Sequence, residues 1–543
     1  MKYKNTNKSV FLDYNKSRAL LVPPKIWSSI EFVDNQSVAL VLTDYEYDFK
    51  DYIETYEEFI AFQKKNKARI FAISEVTSRP KKFFKNQKLV NFEKLWFFHE
   101  QIKQKTGKPD LNYLKKFEKK YKINLWKLAQ NERIFLYFKD FHKFTSDEIL
   151  NILEQECRFF ENVLEEIKPD FFFTRVSSLH HQELIYQMCK NTNVKTVTMN
   201  YTLLANKCMI SQDNKKLDIV DATDNVKLKN KSFEELQNYL HTFDLIKQLE
   251  DKLVKPGSSK LEKLSSLKEY LLNFDSENIK THYTYYGRSR RKVFFYYLVD
   301  YIKTKIRNSF VESNLKLSPK FEDPFVYFPL HMEIERTTLI GAPYYINQIE
   351  IIRSVAKSLP INFKLFVKEH PGQILRSWRS ISEYKDIMNI PNVELLHPNF
   401  PKDELYKKCS VVFSIAGTAG FEAACYGKPA ITLVELNYSL LPSVSKLKSF
   451  EDLNSLIQKK ILEKVNVEDV NKFLKLFEKN VSNFDWTSFS NKLSDEFFSG
   501  NIQDAEISEE KMQSFLDKNY DVIEIFADDH INKIKWLNEQ YKK

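Results

Sequence analysis

A cluster of glycines marks the segment of the chain best suited to hold an anion. Three of the nine glycines, Gly417, Gly420 and Gly427, lie within eleven positions. An apolar run precedes them, and a short helical stretch that carries Glu422 follows Gly420. This order is typical of a strand, a tight loop and a helix N-terminus, where backbone N–H groups can bind phosphate. The segment therefore predicts an anion site, with Gly427 in a structural turn into the next strand.

Polar side chains follow two other apolar runs, PFVYFPL and FKLFV, that have the composition of strands. In an open parallel sheet, ligands bind outside the carboxyl ends of the strands, so three neighbouring strand ends would meet at one pocket. The candidate binding residues at these three ends are His331, Glu335, Arg336, Lys368, His370, Pro371, Gly417, Thr418, Gly420 and Glu422.

These residue types suit a phosphate ligand, and each also has a structural alternative. Lys368 and Arg336 are two cations beside the predicted anion site, as a diphosphate or phosphodiester needs. Glu422 could accept hydrogen bonds from ribose hydroxyls, or it could simply favour the helix N-terminus. Thr418 and Glu422 are four residues apart, which does not fit a capping box. His370 could bind ligand or could only end a strand before a proline.

In the N-terminal half, strand-end residues again supply the candidates. Asp44 follows the run SVALVLT, and Arg175, His180 and His181 follow DFFFT. Acidic residues alternate at positions 44, 46 and 48 like a metal-binding cluster, but a solvated loop is the favoured interpretation. No metal site is expected.

The elements that must position these residues form two α/β regions. Apolar runs alternate with amphipathic segments over residues 1–215, including a predicted strand at 133–138 and a βαβ unit at 168–201, and alternation resumes at Pro324. Between them the chain is polar and helical, and after about residue 440 it is predicted helical to the end. The predicted division is residues 1–215 and 321–500 as α/β domains, 216–320 as a helical linker or insertion, and 501–543 as a helical segment.

The second α/β region resembles the C-terminal domain of capsule and surface polysaccharide biosynthesis glycosyltransferases, which include the capsule Kdo transferases. The resemblance runs from Phe325 to Val434 and rests on YFPLHMEIERTT, FVKEHPGQ, NVELL and ELYKKCSVVFSIAGTAGFEAACYGKPAITL. It implies the GT-B fold, with two Rossmann-like domains facing a cleft, and no metal or other cofactor. The family's His-Pro motif matches His370 and Pro371, and its Ser/Thr and glycine loop matches Ser414, Gly417, Thr418 and Glu422.

This resemblance implies a nucleotide-sugar donor in the C-terminal domain and an acceptor glycan or glycolipid on the N-terminal side, near Arg175, His180 and His181. A CMP-Kdo-like donor is favoured and a UDP-sugar is the alternative; the acceptor would be capsule or lipopolysaccharide, or a lipid-linked precursor. His370 and Asp44 are the candidate catalytic residues, although no motif identifies the catalytic carboxylate. Two other functions stay open: a glycerophosphotransferase or nucleotide-sugar epimerase, and a non-enzymatic glycan-binding or assembly protein on the same fold.

Composition indicates which partners and which cellular compartment to expect. The net charge of +10 is spread along the chain without a nucleic-acid-binding module, so no nucleic-acid partner is expected. The five cysteines form no CxxC pair, and no apolar run reaches about 18 residues, which favours a cytoplasmic protein. The basic and aromatic segment 287–310 either contacts the inner face of the plasma membrane peripherally or forms a helix packed between domains.

Overall fold

The computed structural model describes residues 38–42, 69–75, 81–82, 85–86, 92–137, 141–202, 207–213, 215–220, 229–241, 282–485, 488–489, 492, 496–497 and 508–542. The chain divides into two compact units. Unit 1 comprises residues 1–214, 255–288 and 480–543, and unit 2 comprises residues 215–254 and 289–479. The four-part division expected from the sequence stays a prediction.

Unit 1 contains a sheet whose central strands are parallel and follow the order β3-β2-β1-β4-β5. The antiparallel strand β6 continues the sheet next to β5. This is the doubly wound order, and it places the switch in strand order between β1 and β4. The strands are β1 (Val38–Leu42), β2 (Arg69–Ser74), β3 (Lys94–Phe97), β4 (Phe171–Arg175), β5 (Lys195–Tyr201) and β6 (Cys208–Ser211).

The helices of unit 1 bury apolar residues in a core that they share with the sheet. The longest, at Ser146–Ile167, begins with a capping box in which Thr145 and Glu148 exchange side-chain and backbone hydrogen bonds. It buries Phe160 and Val163 in the core. The helices are α1 (Phe98–Gln101), α2 (Leu111–Tyr121), α3 (Leu125–Ala129), α4 (Arg133–Leu136), α5 (Ser146–Ile167) and α6 (His180–Lys190), with a 3₁₀ turn at Tyr283–Tyr285.

The strand predicted at 133–138 is wrong, because Arg133–Leu136 is the short helix α4. Glu132 precedes it, and its carboxylate accepts a hydrogen bond from the backbone N–H of Ile134. That contact opens a helical turn and so opposes the extended backbone that the apolar run favours. The βαβ unit predicted at 168–201 is confirmed as β4, α6 and β5, since β4 and β5 are parallel.

Unit 2 contains a fully parallel sheet in the order β12-β11-β10-β7-β8-β9. This is also the doubly wound order, with its switch between β7 and β10. The five strands predicted in this region are confirmed, whereas β12 interrupts the stretch predicted to be helical. The strands are β7 (Phe325–Pro329), β8 (Lys364–Lys368), β9 (Val393–Leu396), β10 (Val411–Ser414), β11 (Ala430–Thr432) and β12 (Val444–Lys446).

The helices of unit 2 cover this sheet. Helix Gln348–Lys357, for example, is capped by Asn347 and buries Ile351, Ile352 and Val355, which share one face at helical spacing. The helices are α7 (Phe233–His241), α8 (Arg290–Asn314), α9 (Arg336–Leu339), α10 (Gln348–Lys357), α11 (Ile381–Met388), α12 (Lys402–Lys408), α13 (Ala419–Cys425), α14 (Leu453–Ile461) and α15 (Val467–Glu478), with 3₁₀ turns at Pro371–Arg376 and Phe450–Asp452.

The C-terminal segment returns to unit 1. Strand β13 (Val481–Ser482) pairs antiparallel with β6 and ends the sheet, which again interrupts the predicted helical stretch. Helices α16 (Glu509–Lys518) and α17 (Tyr520–Lys542) follow, as the sequence predicts for residues near the terminus. Strands β12 and β13 have only three and two residues, which is too short to show a period of two, and each lies within a stretch whose longer segments have helical spacing. The predicted α/β class with two Rossmann-like units is confirmed.

Candidate functional site

His331 lies at the topological switch of the unit 2 sheet. It follows β7, and its Nε2 is 2.6 Å from the carbonyl oxygen of Ala416, which follows β10. The same nitrogen is 3.2 Å from the backbone nitrogen of Ala416. The imidazole therefore joins the ends of the two strands at the position where doubly wound folds bind their ligands.

The His331 ring is neutral near pH 7. Burial, and then the charge of Arg379, lower its pKa to about 4, although the hydrogen bond to Ala416 opposes this shift. The shorter contact is with the carbonyl oxygen, so we assign the ring proton to Nε2, which donates it to Ala416. Nδ1 is then an acceptor, and it is buried without a hydrogen-bond partner among the described residues.

Gly417 comes directly after this contact, in a conformation that favours glycine. Its φ of +83° lies in the left-handed region. The hydroxyl of Tyr438 donates to the carbonyl oxygen of Gly417 at 2.6 Å and holds the turn. Gly420 has a different requirement, because a Cβ atom there would lie 2.8 Å from Cε2 of Tyr438. Packing against Tyr438 is thus sufficient to explain Gly420, and Gly427, at φ +70°, lies in the predicted turn.

His370 lies at the end of β8 and begins the 3₁₀ turn Pro371–Arg376. Its Nδ1 accepts a hydrogen bond from the backbone N–H of Gly372 at 3.0 Å, so the proton of the neutral ring is on Nε2. Burial, followed by the charges of His331 and Lys368, lowers the pKa of His370 to about 4. The side chain is partly exposed. It therefore presents a neutral hydrogen-bond donor at the carboxyl edge of the sheet.

Arg379 connects the loops after β7 and β8. Its guanidinium contacts Glu333 at 2.7 Å and Glu369 at 2.9 Å, and it donates to the carbonyl oxygen of His331 at 2.6 Å. Arg379 is 4% exposed and Glu369 is 0% exposed. The two carboxylates outweigh the effect of burial and raise the pKa of Arg379 above its ordinary value. Sequence reasoning missed Arg379, because it follows a 3₁₀ turn rather than a strand.

Two glutamine side chains hold the loop that carries His331. The amide of Gln348 accepts from the backbone N–H of His331 at 2.8 Å and donates to its carbonyl oxygen at 3.0 Å. The amide of Gln373 makes the same pair of bonds with the backbone of Glu333, at 2.8 and 2.9 Å. Each glutamine makes the pair of backbone hydrogen bonds that a neighbouring strand would otherwise make. The loop is therefore held in place without regular secondary structure.

Several predicted site residues have their polar atoms engaged within the protein. Lys368 donates from Nζ to the carbonyl oxygen of Pro398 at 2.6 Å and is buried. The hydroxyl of Ser414 donates to the carbonyl oxygen of Ala416, also at 2.6 Å. Lys368 thus lends its charge to the region while its ammonium group is bonded to backbone.

Glu422 has two partners close to the loop. The hydroxyl of Thr418 donates to one of its oxygens at 2.6 Å, and Lys402 lies 3.3 Å from the other. This contact explains the four-residue spacing that does not fit a capping box. Helix α13 has only seven residues, so its dipole is a minor part of the site. Glu335 precedes α9 and Arg336 begins it, and both are partly buried.

In unit 1, the carboxyl edge of the sheet carries a buried cluster of histidines and carboxylates. His180 Nδ1 is 2.7 Å from Glu132 and its Nε2 is 2.9 Å from Glu156. Burial opposes the charge on His180, but the two carboxylates outweigh it and raise its pKa to about 10. In return, the charge of His180 outweighs burial and lowers the pKa of Glu132 to about 2. An imidazolium held between two carboxylates results.

His181 lies beside this group and pairs with Glu75 through Nε2. Its ring stacks on Phe98, with the ring centroids 4.3 Å apart. Burial lowers the pKa of His181 to about 3 and raises that of Glu75, so this second pair is neutral. Sequence reasoning missed Glu75, Glu132 and Glu156.

The cluster also has the spacing of a metal site. Glu156, His180 and His181 each offer a ligand atom, and these atoms lie within 4.8 Å of one another. The sequence does not predict a metal here. With His180 protonated, its Nε2–H already faces Glu156, so the proton takes the place that a cation would occupy. Arg175 ends β4 and is 3% exposed, and Asp44 lies outside the described residues.

A Rossmann-like unit with hydrogen-bond donors at its switch is typical of nucleotide-binding proteins. The family model "Capsule polysaccharide biosynthesis protein" matches residues 238–444, which confirms the resemblance predicted over Phe325 to Val434 and supports a role in capsule polysaccharide synthesis. A second family model, "WxcM-like, C-terminal", matches residues 1–64, of which the structure describes 38–42. No curated protein matches the chain.

Solved structures show distant likeness. The KpsC β-Kdo 2,4-transferase of Thermosulfurimonas dismutans has 10% identity and a TM-score of 0.28, with 56% of this chain and 79% of that chain covered. The β-Kdo 2,7-transferase of the same KpsC has 14% identity and a TM-score of 0.26, covering 66% and 97%. The UDP-GlcNAc 2-epimerase of Methanocaldococcus jannaschii with UDP-GlcNAc and UDP has 10% identity and a TM-score of 0.24, covering 82% and 99%. The superpositions are weak, and the fold assignment comes from the sheet orders above.

Proposed function

We propose that the protein is a glycosyltransferase of bacterial surface polysaccharide synthesis, and that unit 2 binds its nucleotide-sugar donor. One observation carries this proposal: at the switch between β7 and β10, His331 is bonded to Ala416 beside the left-handed Gly417. The family match over residues 238–444 supports the polysaccharide pathway. The donor would lie outside the carboxyl ends of β7, β8 and β10.

The donor phosphate is the group that these residues suit best. In the proposed complex, His370 donates from Nε2–H to a phosphate oxygen, and the backbone N–H groups around Gly417 donate to another. Sugar transfer leaves negative charge on the departing nucleotide, and donors that are already oriented stabilise that charge. Arg336 and Lys402 would add positive charge, while Lys368 acts only through its field because its ammonium is bonded to Pro398.

Glu422 is proposed to bind the ribose of the donor. Its carboxylate already accepts from Thr418, and the ion pair with Lys402 holds its orientation. A carboxylate in this position can accept hydrogen bonds from two ribose hydroxyls. The base of the nucleotide is left to experiment, with CMP favoured by the capsule resemblance and UDP as the alternative.

We infer that the unit 1 residues position the acceptor side rather than contact the acceptor. Arg175, His180 and His181 are 2–3% exposed, so a glycan could not reach them in this conformation. Their hydrogen bonds fix the segment between β4 and α6 at the carboxyl edge of the sheet. The acceptor is proposed to be a capsule or lipopolysaccharide glycan, or its lipid-linked precursor, in the cytoplasm and without a cofactor beyond the donor.

A donor screen tests this proposal. The purified full chain is incubated with CMP, CDP, UDP and GDP, and the thermal unfolding midpoint is measured for each. Ligand at about 100 times its Kd stabilises the folded state by about 2.7 kcal/mol, so the correct nucleotide gives a clear rise. No rise with any nucleotide contradicts a donor site and favours a non-enzymatic glycan-binding protein.

Product analysis separates the remaining enzyme classes. The protein is supplied with CMP-sugars, UDP-N-acetylglucosamine and CDP-glycerol, each with a surface-glycan acceptor. A glycosylated acceptor supports the proposal. Epimerised UDP-sugar without transfer, or glycerol phosphate on the acceptor, would replace it by one of the other two activities.

A further inference from the structure

Helix α8 exposes an extended apolar face, which Arg291 interrupts near its first turn and Lys305 interrupts further along. Seven large apolar side chains on it are each 41–62% exposed, whereas a soluble surface usually carries such residues singly. At 100° per residue they fall within an arc of about 160°, which is one face of the helix. These residues are Phe294, Phe295, Leu298, Val299, Tyr301, Ile302 and Ile306.

The opposite face of α8 is fixed to the body of unit 2. Asp300 accepts a hydrogen bond from the hydroxyl of Ser377 at 2.7 Å. Arg307 donates to the carbonyl oxygens of Ser377 and Trp378 at 3.0 and 3.2 Å. Val311 is fully buried in the unit 2 core. These contacts fix the orientation of α8 on unit 2, so the same side of the helix is always the exposed one.

Charge indicates what this face binds. Residues 287–310 contain seven basic residues and a single acidic residue, Asp300, which is bonded on the opposite face. Lys292 and Lys303 are exposed along one edge of this face, and Arg291 and Lys305 are exposed within it. Such a combination of apolar face and flanking cations is typical of helices that lie in the headgroup layer of an anionic bilayer. A second copy of the chain would instead bring two strongly basic helices together, which electrostatic repulsion opposes.

We propose that the apolar face of α8, together with its flanking basic residues, docks the protein on an anionic membrane surface. The helix would lie in the plane of the bilayer, because no helix within the described residues is long and apolar enough to cross a membrane. The docking proposal does not depend on where the donor binds. The view that docking brings the enzyme to a lipid-linked acceptor rests on the proposed function.

The docked helix is also connected to the candidate donor site. Ser377 and Trp378, which receive its hydrogen bonds, immediately precede Arg379. Arg379 in turn holds Glu333, Glu369 and the backbone of His331. The residues that anchor α8 are therefore adjacent in sequence to the central cation of the site.

Vesicle co-sedimentation of the full chain tests the proposal. The vesicles are pure phosphatidylcholine or phosphatidylcholine with about a third phosphatidylglycerol. We expect binding to the anionic vesicles that is about tenfold stronger than to neutral ones and that falls in high salt, because each basic residue near the surface adds attraction. The triple variant F295Q/L298Q/I302Q should bind anionic vesicles at least about tenfold more weakly.

The matched control is I361Q/L462Q, which replaces two apolar side chains that are 104% and 83% exposed but lie away from α8. It should bind as the parent does. Thermal unfolding confirms that each variant is folded. Equal binding by the parent and the triple variant, or no binding to anionic vesicles, overturns the proposal. A parent dimer that the triple variant dissociates, without vesicle binding, assigns the face to a second copy instead.

The nucleotide screen keeps the two proposals separate. The triple variant should show the same nucleotide-dependent shift as the parent, because none of its three substitutions contacts the candidate donor site. Vesicle binding without any nucleotide shift would retain the docking face and remove the donor assignment. Nucleotide binding without vesicle binding would do the reverse.

Discussion

The carboxyl edges of the two sheets use the same residue type in opposite ways. In unit 1, His180 lies between two buried carboxylates, which raise its pKa to about 10. In unit 2, His331 and His370 contact backbone groups, and burial lowers both pKa values to about 4. Topological position alone therefore does not decide what a strand-end histidine does. Its partners decide whether it is a fixed cation or a neutral donor.

The difference separates a stabilising cluster from a binding site. In unit 1, both ring nitrogens of His180 are bonded to the carboxylates of Glu132 and Glu156, and these three residues are 0–2% exposed, so this group is self-satisfied. Nδ1 of the adjacent His181 is buried without a hydrogen-bond partner among the described residues, so His181 is not part of that group. In unit 2, His370 is partly exposed, and Nδ1 of His331 has no hydrogen-bond partner among the described residues. Groups that keep unused hydrogen-bonding capacity can bind a ligand, whereas a self-satisfied cluster mainly holds its loops in place.

Replacing Glu156 by Ala should have the largest effect on stability. The imidazolium of His180 would lose one of its two carboxylates while staying buried, and breaking such a pair costs about 3–5 kcal/mol. Urea unfolding measures the loss. The control is Glu166→Ala, whose ion pair with Lys94 is half-exposed and should be worth less than about 1 kcal/mol. Equal losses would show that the cluster is not a stabilising unit.

The pH dependence of stability should show the next effect. The folded-state pKa of His180, about 10, lies above its ordinary value of 6.5. Its contribution is therefore complete below about pH 6.5, declines as the pH rises and is lost above about pH 10, on the order of 2–4 kcal/mol. Unfolding measured from pH 6 to 10 should show this decline, and His180→Gln should remove it. An unchanged slope in His180→Gln contradicts the assignment of the charge.

As the pH falls below 6.5, the two histidines of unit 2 should change the stability of the protein in the opposite sense to His180. Because the pKa values of His331 and His370 are depressed to about 4, the unfolded chain takes up protons first as the pH falls below 6.5. Stability should decrease from pH 6.5 towards 4, and a double variant His331→Gln/His370→Gln should decrease less. A steeper acid loss in the double variant would be incompatible with neutral rings.

Arg379→Lys should lower the free energy of unfolding by about 1–3 kcal/mol and weaken nucleotide binding, although it leaves one positive charge in place. A lysine cannot reproduce the separate contacts to Glu333, Glu369 and the His331 carbonyl oxygen. Unfolding and nucleotide titration should both detect the change. Arg353→Lys is the control, since its pair with Glu350 lies on the surface. An unaltered nucleotide affinity in Arg379→Lys would remove Arg379 from the positioning of the site.

The smallest expected effect on stability is that of Gly417→Ala, about 1 kcal/mol for an alanine forced to a positive φ. Donor affinity should fall about tenfold, because the turn presents backbone N–H groups to the phosphate. Gly107→Ala introduces the same kind of strain at φ +109°, with no atom within 4 Å, in unit 1. It should leave nucleotide binding intact. Equal loss of affinity in both variants would mean that strain, not position, is responsible.

Much of the unit 2 site could be predicted because it depends on local signals. Gly417 stands out because the chain has only nine glycines. His331 and His370 each come soon after an apolar run with the composition of a strand, so both are expected at strand ends. Lys368 was predicted from the same rule, but the direction of its side chain depends on Pro398 beyond the next strand. Strand ends therefore predict location and not orientation.

The contacts that the sequence did not predict join residues far apart in the chain. Glu132 and Glu156 are 48 and 24 positions from His180, and both lie on or beside helices with ordinary amphipathic patterns. Arg379 follows a 3₁₀ turn that His370 caps through the backbone N–H of Gly372. Pairing of this kind is set by tertiary packing, which local patterns in the sequence do not reveal.

Isothermal titration of nucleotides into the parent chain and into His370→Ala tests the central claim most directly, with His241→Ala as the control because this histidine is half-exposed on α7 in the same unit. The account predicts that one nucleotide binds the parent and His241→Ala equally and His370→Ala at least about tenfold more weakly, since a hydrogen bond to a charged phosphate is lost. Equal affinity of His370→Ala and the parent would contradict the placement of the donor at the carboxyl ends of β7, β8 and β10.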